Sequence, residues 1–95
     1  MENKVNFSKK IIKALKSLPK DVIATLYYLK KEITHRGPVR GDWPNYSKLS
    51  SKSVHHCHLK KGKPTYVAIW KEIKKGVICF EYVGTHEGAN YDLYK

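Results

Sequence analysis

The hydrophobic period of the chain changes at Gly37-Pro38, and this change constrains the fold more than any other feature. Before it, apolar residues recur every three to four positions, as they do on one face of a helix. After it, alternating runs rich in β-branched and aromatic residues are separated by turn residues, which is typical of antiparallel strands. Helices followed by grouped strands predict an α+β fold with the helices on one face of the sheet. A length of 95 residues predicts a single domain over residues 1–95.

The expected elements follow from these periods and from the turns between them. A short strand is expected over residues 3–7, and helical spacing begins at Ser8. A second helix is expected to start at Ser17, a favoured N-cap residue, and to end near Gly37. The predicted strands that follow cover residues 46–49, 54–61, 65–73 and 77–85. The architecture is therefore a short N-terminal strand, a helical hairpin and a twisted antiparallel sheet of three to four strands.

The charge of the chain favours a polyanionic partner. Lys plus Arg total 19 against 8 Asp plus Glu, which gives a net charge of +11. Nucleic acid is the first candidate for such a partner, and a charge that only confers solubility is the alternative. No apolar run approaches the ~20 residues that span a bilayer, and the N-terminal segment lacks the apolar core of a signal peptide. These features predict a cytoplasmic protein. Cys57 and Cys79 both lie in expected strands and are predicted to be buried thiols.

Three of the five histidines lie within four positions, in the stretch VHHCHL. Side chains alternate between the two faces of a strand, so His55 shares one face with Cys57 and Leu59. His56 and His58 share the other face. Cys57 and Leu59 are the better candidates for burial, and two imidazoles are therefore expected on an open face of the sheet.

The same alternation applies to the strand expected over residues 77–85. It places Ile78, Phe80 and Tyr82 on the face that also carries Gly84 and His86, with Val83 on the opposite face. The end of this strand, at residues 85–87, is expected within reach of the two imidazoles on the open face.

Three kinds of role are open to these histidines. Zinc takes about four nitrogen or sulfur ligands, but no CxxC or HxxxH spacing accompanies His56 and His58. Packed or solvated imidazoles are the second possibility. RNA cleavage is the third, because it needs a base for the ribose 2′-OH, an acid for the 5′-oxygen and cations for the phosphate. Histidine, with an ordinary pKa of ~6.5, can act as either base or acid.

Basic and aromatic residues near the histidines supply the other functions of an RNA-cleaving site. The candidates for holding phosphate are Lys60, Lys61 and Lys63. The aromatic residues that can stack on unpaired bases, at ~1–3 kcal/mol per base, are Tyr66, Trp70 and Tyr91. This chemistry calls for no metal and no cofactor.

Several motifs occur in a fixed order along the chain: Leu18-Pro19, GPVRGDWPNY at 37–46, HCHLKKG at 56–62, PTYVA at 64–68, YVGTHE at 82–87, and Tyr91. With these motifs the chain resembles the RelE/ParE superfamily of bacterial toxin–antitoxin toxins. It is most similar to the YafQ-like branch of ribosome-dependent mRNA interferases. The resemblance extends over about residues 7–91.

The resemblance implies a RelE-like fold with the active cleft on the open side of the sheet. It also implies binding in the ribosomal A site, cleavage of the codon there by attack of the 2′-OH, and neutralisation by a cognate antitoxin, expected to be acidic. Such toxins often join the antitoxin on operator DNA. The clustered imidazoles, the charge and the motif order together predict the following roles: an acid–base pair of His58 and His86, a catalytic-site position for His56, which would hold phosphate together with Lys60 and Lys63, and stacking or proton donation by Tyr91. The alternatives are a ParE-like gyrase inhibitor and a non-catalytic RNA-binding module.

Overall fold

The computed structural model of the chain describes residues 2–50 and 53–94. Its strands are β1 (Lys4–Phe7), β2 (Ser47–Ser50), β3 (Val54–Lys60), β4 (Tyr66–Lys74) and β5 (Val77–Thr85). Its α-helices are α1 (Lys9–Ala14) and α2 (Lys20–Arg36), and 3₁₀ turns follow at Leu15–Ser17 and Tyr91–Tyr94. The elements occur in the predicted order, and their bounds agree with the predicted ones to within one to three residues.

The two helices begin and end at residues that satisfy their backbone groups. The Ser8 hydroxyl accepts a hydrogen bond from the Ile11 amide at 3.3 Å and caps α1. The prediction that Ser17 caps α2 is wrong, because its hydroxyl donates to the carbonyl of Ala14 at 3.1 Å and α2 begins after Pro19. At the other end, Gly37 has φ of 94° and its amide donates to the carbonyl of Ile33 at 2.9 Å. Glycine adopts this backbone without steric cost, so α2 ends there.

The sheet has five strands, in the order β1-β5-β4-β3-β2. Strands β2 to β5 form an antiparallel meander, whereas β1 runs parallel to β5 with Lys4 opposite Val77 and Phe7 opposite Phe80. The predicted sheet of three to four strands therefore gains β1 as an edge strand and is mixed. A parallel pairing requires a long crossover between its strands, and the helices and the meander together provide it.

The core fills the space between the helices and one face of the sheet. From α2 it contains Val22, Leu26, Leu29 and Ile33, and from the sheet it contains Cys57, Leu59, Ala68, Trp70, Ile78, Phe80 and Val83. Trp70 and Phe80 are fully buried, with ring centroids 5.9 Å apart. Burial of one such side chain contributes about 1.5–3 kcal/mol. In the described part of the chain, no helix is both long and apolar enough to cross a membrane.

His55 belongs to this core. Its ring packs against both Tyr46 and Trp70, with centroid distances of 5.8 and 5.9 Å, and only 2% of its surface is exposed. The Tyr46 hydroxyl and the His55 Nδ1 are 2.6 Å apart and form a hydrogen bond. Burial lowers the pKa of the His55 imidazole, and the nearby Lys48 lowers it further, while Glu72 opposes both effects. His55 is therefore a neutral packing residue.

Candidate functional site

Strand β3 supplies two imidazoles to the sheet face that the helices leave uncovered. Cys57 and Leu59 point into the core, and the alternation of the strand turns His56 and His58 to the opposite, open face, where both are partly exposed. The neighbouring strand β4 pairs His56 with Ile69 and His58 with Val67. The expected separation of His55 from the other two histidines is confirmed.

A β-bulge determines which residues of β5 join the open face. Trp70 pairs with Phe80 but Ile69 pairs with Tyr82, which leaves Glu81 as an extra residue in β5. Each extra residue reverses the alternation of the strand that carries it. Val83 consequently lies in the core. The prediction that Tyr82 shares a face with Phe80 is wrong, because Tyr82 and Gly84 lie beyond the bulge, opposite open-face residues of β4.

Four aromatic rings meet on the open face, and we call them the four-ring cluster: His56, His58, His86 and Tyr91. The centroid distances are 5.5 Å from His58 to His86, 5.6 Å from His86 to Tyr91, and 5.4 Å from Tyr91 to His56. The fourth distance, 6.1 Å from His56 to His58, closes the cycle. Two strands and the C-terminal 3₁₀ turn thus bring three imidazoles and one phenol to a single place.

The segment that carries His86 is held by Tyr82. The Tyr82 hydroxyl donates to the carbonyl of Thr85 at 2.8 Å, and the amide of His86 donates to the carbonyl of Thr65 at 2.7 Å. The Tyr82 ring lies against Gly84 so closely that a Cβ at position 84 would be 2.6 Å from the Tyr82 hydroxyl oxygen. Glycine at this position therefore allows the aromatic ring to brace the turn before His86.

Three members of the four-ring cluster, His56, His58 and Tyr91, favour their neutral forms. Burial lowers the pKa of the His56 imidazole, and the neighbouring His86 adds to this effect, while a hydrogen bond to the Ser47 backbone raises it. Burial also lowers the pKa of His58, and three neighbours lower it further: His56, His86 and Lys61. Tyr91 has its pKa raised by burial, and among the described residues its buried hydroxyl has no hydrogen-bond partner. Neutral imidazoles can accept protons, and a protonated phenol can donate one.

The structure distributes the predicted phosphate-binding lysines unevenly. Lys61 lies close enough to His58 to lower the pKa of that histidine. Lys63 is exposed in the turn between β3 and β4. Lys60 instead forms an ion pair with Asp21, in the first turn of α2. Its ammonium group is therefore directed to the helix side of the sheet, away from the four-ring cluster.

Two of the aromatic residues expected to stack on bases lie on the helix side of the sheet. Trp70 is fully buried and its indole N–H donates to the carbonyl of Pro38 at 2.9 Å. Tyr66 is partly buried against the same core. As placed here, Trp70 cannot meet a base, and the role expected for it does not fit the structure. Tyr91 is the predicted aromatic residue that the structure does bring to the histidines.

Two residues at the site were missed by the sequence analysis, Ser47 and Tyr82. Ser47 lies opposite His56 in the β2–β3 pairing, and its hydroxyl oxygen is 2.9 Å from the His56 Nδ1. The register of β2 against β3 places Ser47 opposite His56. The sequence does not show this register, because a β-bulge between Lys48 and Ser50 shifts the pairing of the two strands. Within residues 2–50 and 53–94, no three His, Cys, Asp or Glu side chains are grouped in a way that holds a metal ion.

A solved structure shares this fold. The chain superposes on a chain of the archaeal RelE-RelB complex from Pyrococcus horikoshii OT3 with a TM-score of 0.61. The alignment covers 94% of this chain and 100% of the other, at 18% sequence identity. No protein-family model matches the sequence, and no curated protein matches it. The predicted RelE-like α+β fold is confirmed.

Proposed function

We propose that this chain is the toxin of a toxin–antitoxin pair and an endoribonuclease that cuts mRNA on the ribosome. The four-ring cluster is the observation that carries the proposal. Three imidazoles and a phenol lie within 5.4–6.1 Å of their neighbours on the open face of a sheet in a chain with a net charge of +11. Packing of a core does not require titratable rings on an open face. General acid–base chemistry on a polyanion does require such rings close together.

The reaction proposed is an internal transfer at one phosphodiester. A base takes the proton of the ribose 2′-OH, and the 2′-oxygen forms a bond to phosphorus. The bond from phosphorus to the 5′-oxygen breaks, and an acid donates a proton to that oxygen. The products are a 2′,3′-cyclic phosphate and a 5′-hydroxyl, so this step consumes no water. His58 and His86, with centroids 5.5 Å apart, are near enough to serve one such linkage.

Positive charge near the cluster supports binding of the phosphate. Lys61 and the exposed Lys63 follow His58 in the β3–β4 turn. Charge that develops on the phosphoryl oxygens during the transfer is stabilised by cations held in place before the reaction. We assign these two lysines to the phosphate and leave Lys60 to its ion pair with Asp21.

A cognate antitoxin is the second part of the proposal. The solved structure that shares this fold is that of a RelE-RelB complex. In addition, the net charge of +11 favours an acidic partner. Affinity for this partner should fall as salt rises, because exposed charges are screened. An affinity that is the same at low and high salt would contradict an acidic antitoxin. Binding of operator DNA through the antitoxin belongs to the same proposal.

The YafQ-like branch and cleavage in the ribosomal A site are supported by the motif order, with HCHL on β3 and GTH at the end of β5. Primer extension on translated mRNA, with the purified protein present or absent, tests the whole function. We expect breaks at defined codons when ribosomes translate the message and none on the same RNA alone.

Other results would assign a different function. Loss of DNA supercoiling by gyrase without any RNA break would indicate the ParE-like alternative. Binding of RNA without breaks would indicate a non-catalytic module. The absence of a metal requirement is tested with a zinc-selective chelator at a Mg²⁺ concentration that preserves ribosomes. We expect the cleavage rate to be unchanged, and loss of cleavage would contradict the metal-free mechanism.

A further inference from the structure

Ser47 makes a contact that fixes the state of one member of the four-ring cluster. Ser47 and His56 are directly opposite in the antiparallel pairing of β2 and β3. The Nδ1 of His56 lies 2.9 Å from the Ser47 hydroxyl oxygen and 3.4 Å from the Ser47 carbonyl oxygen. Among the four rings, the described residues provide such a contact only to His56.

The two oxygens beside the Nδ1 of His56 favour one tautomer of the ring. A carbonyl oxygen can only accept a hydrogen bond, so the nitrogen beside it is the one that donates. A neutral imidazole carries one proton, and the hydrogen bond made by one nitrogen selects the tautomer. The carbonyl contact therefore favours the Nδ1–H tautomer, in which the Ser47 hydroxyl accepts as well and Nε2 has a free lone pair.

We propose that His56 is the base of the cleavage reaction and that Ser47 is the residue that positions it and holds its Nδ1 proton. This inference rests on the proposed function. It replaces the phosphate-binding role expected for His56, and it assigns the base, which the sequence analysis placed within the pair of His58 and His86. His56 Nε2 takes the 2′-OH proton, and His86 donates the proton that the 5′-oxygen receives.

The surroundings of His56 suit a base at neutral pH. Burial and the neighbouring His86 keep its imidazole neutral, so Nε2 is able to accept a proton. When that proton arrives, Nδ1–H still donates to Ser47, and the hydrogen bond strengthens because the imidazole is now charged. Ser47 thus stabilises the product of the proton transfer more than the starting state, which is the requirement for catalysis by a positioning residue.

The tautomer of His56 is measured by ¹⁵N NMR of imidazole-labelled protein. We expect a protonated Nδ1 in the wild type. In Ser47→Ala the backbone carbonyl at 3.4 Å still accepts from Nδ1, so we expect a weaker preference for this tautomer and a smaller population of it. Ser47→Thr keeps a hydroxyl on an exposed edge strand and should restore the Nδ1–H tautomer. Ser17→Ala is the matched control, because it also removes an exposed serine hydroxyl that takes part in a hydrogen bond, far along the chain from β3.

Single-turnover cleavage gives the second measurement. Loss of one hydrogen bond should slow Ser47→Ala about tenfold near neutral pH. It should also move the acidic limb of its pH profile to lower pH, since the His56 cation loses a stabilising partner. Ser47→Thr should recover most of the rate, and Ser17→Ala should keep all of it. A lower rate with an unmoved profile would indicate a structural role only and would overturn the inference.

The two proposals fail in distinguishable ways. A wild-type protein that does not cut translated mRNA overturns the proposed function and with it the role of His56 as base, even if Nδ1 is protonated. Cleavage by a wild type in which Nε2 of His56 carries the proton overturns only the inference about Ser47 and His56. Cleavage together with Nδ1 protonation and a shifted Ser47→Ala profile supports both proposals.

Discussion

His55 and His56 are neighbours in the sequence but belong to opposite sides of the sheet. His55 packs against Tyr46 and Trp70 on the helix side, with 2% of its surface exposed. His56 lies on the open side, in contact with His58 and Tyr91. The residue type is the same, and the face of the strand decides whether the imidazole packs a core or is available to a substrate.

The comparison shows that one short strand can carry a packing histidine on one face and a histidine available to a substrate on the other. Burial lowers the pKa of both imidazoles, so both are neutral. On the helix side the neutral ring is compatible with an apolar core, and on the open side it is a proton acceptor. If this division holds, changes on the helix side should reduce stability and changes on the open side should reduce activity.

The largest effect is expected from the open side. His86→Ala removes the proposed acid and should lower the rate of mRNA cleavage by about 10²–10⁴-fold, with the fold unchanged. Primer extension measures the rate, and circular dichroism checks the fold. His35→Ala is the matched control, since His35 is an exposed histidine that pairs with Glu2 at 3.0 Å. Cleavage by His86→Ala at the parental rate would remove His86 from the site.

The helix side should respond in stability. Trp70→Ala removes the largest fully buried side chain and its hydrogen bond to Pro38. We expect the free energy of unfolding to fall by about 3–5 kcal/mol, because a large cavity is left in the core. Urea denaturation measures this change. A loss below about 1 kcal/mol would contradict the placement of Trp70 in the core.

Gly84→Ala tests the brace that holds the segment before His86. The new Cβ would meet the Tyr82 hydroxyl oxygen at 2.6 Å, so the ring of Tyr82 must move. A displaced His86 should slow cleavage by about 10- to 100-fold. In Gly41→Ala, the control, a Cβ has no neighbour within 4 Å and the rate should not change. Equal rates for the two variants would show that Tyr82 does not position His86.

Stability should decrease in acid because the folded-state pKa of His55 is lowered. The unfolded chain, with an ordinary histidine pKa of about 6.5, then binds protons that the folded chain does not. The contribution of His55 to the free energy of unfolding is complete above the pKa of the unfolded chain. It is lost as the pH falls below that value. Urea denaturation from about pH 8 to about pH 5 measures the effect.

His55→Gln removes this titration and keeps a polar partner for Tyr46. The unfolding free energy of this variant should depend less on pH than that of the wild type, although His56 and His58 titrate in the same direction. An equal pH dependence in the two proteins would contradict a buried neutral His55.

The smallest effect is expected for Lys60→Ala. Lys60 pairs with Asp21 on the helix side, and both side chains are largely exposed. The cleavage rate should change by less than about twofold, because exposed ion pairs contribute little. Lys61→Ala, which alters a cation beside His58, should slow cleavage more. A larger decrease in the cleavage rate for Lys60→Ala than for Lys61→Ala would indicate that Lys60 binds the phosphate.

The sequence was sufficient to predict the element order and the faces of β3 as far as His58. The prediction that Lys60 shares the face of His56 and His58 is wrong, because a β-bulge between His58 and Lys60 moves Lys60 to the helix side. Alternation alone separates His55 from His56 and His58, since no irregularity interrupts the strand between them. It was not sufficient for β5, where the extra residue Glu81 reverses the alternation. A bulge depends on how two strands pair, and neither strand records the pairing in its own pattern.

Trp70 and Ser47 show the same limit at single residues. A tryptophan beside a basic turn is compatible with stacking on bases or with packing, and only its contacts with Phe80 and Pro38 decide between them. Ser47 has no motif of its own and becomes recognisable through its position opposite His56. Residues that act through a neighbour are therefore the part of this site that requires the three-dimensional structure.

The most direct test measures unfolding and cleavage in the same two variants, His55→Ala and His56→Ala. We predict that His55→Ala loses about 2–4 kcal/mol of unfolding free energy while its folded fraction cleaves mRNA at the parental rate. His56→Ala should keep its stability to within about 1 kcal/mol and lose at least about 10²-fold in cleavage. Parental cleavage by His56→Ala, or a similar loss of activity in folded His55→Ala, would contradict the division of the two faces.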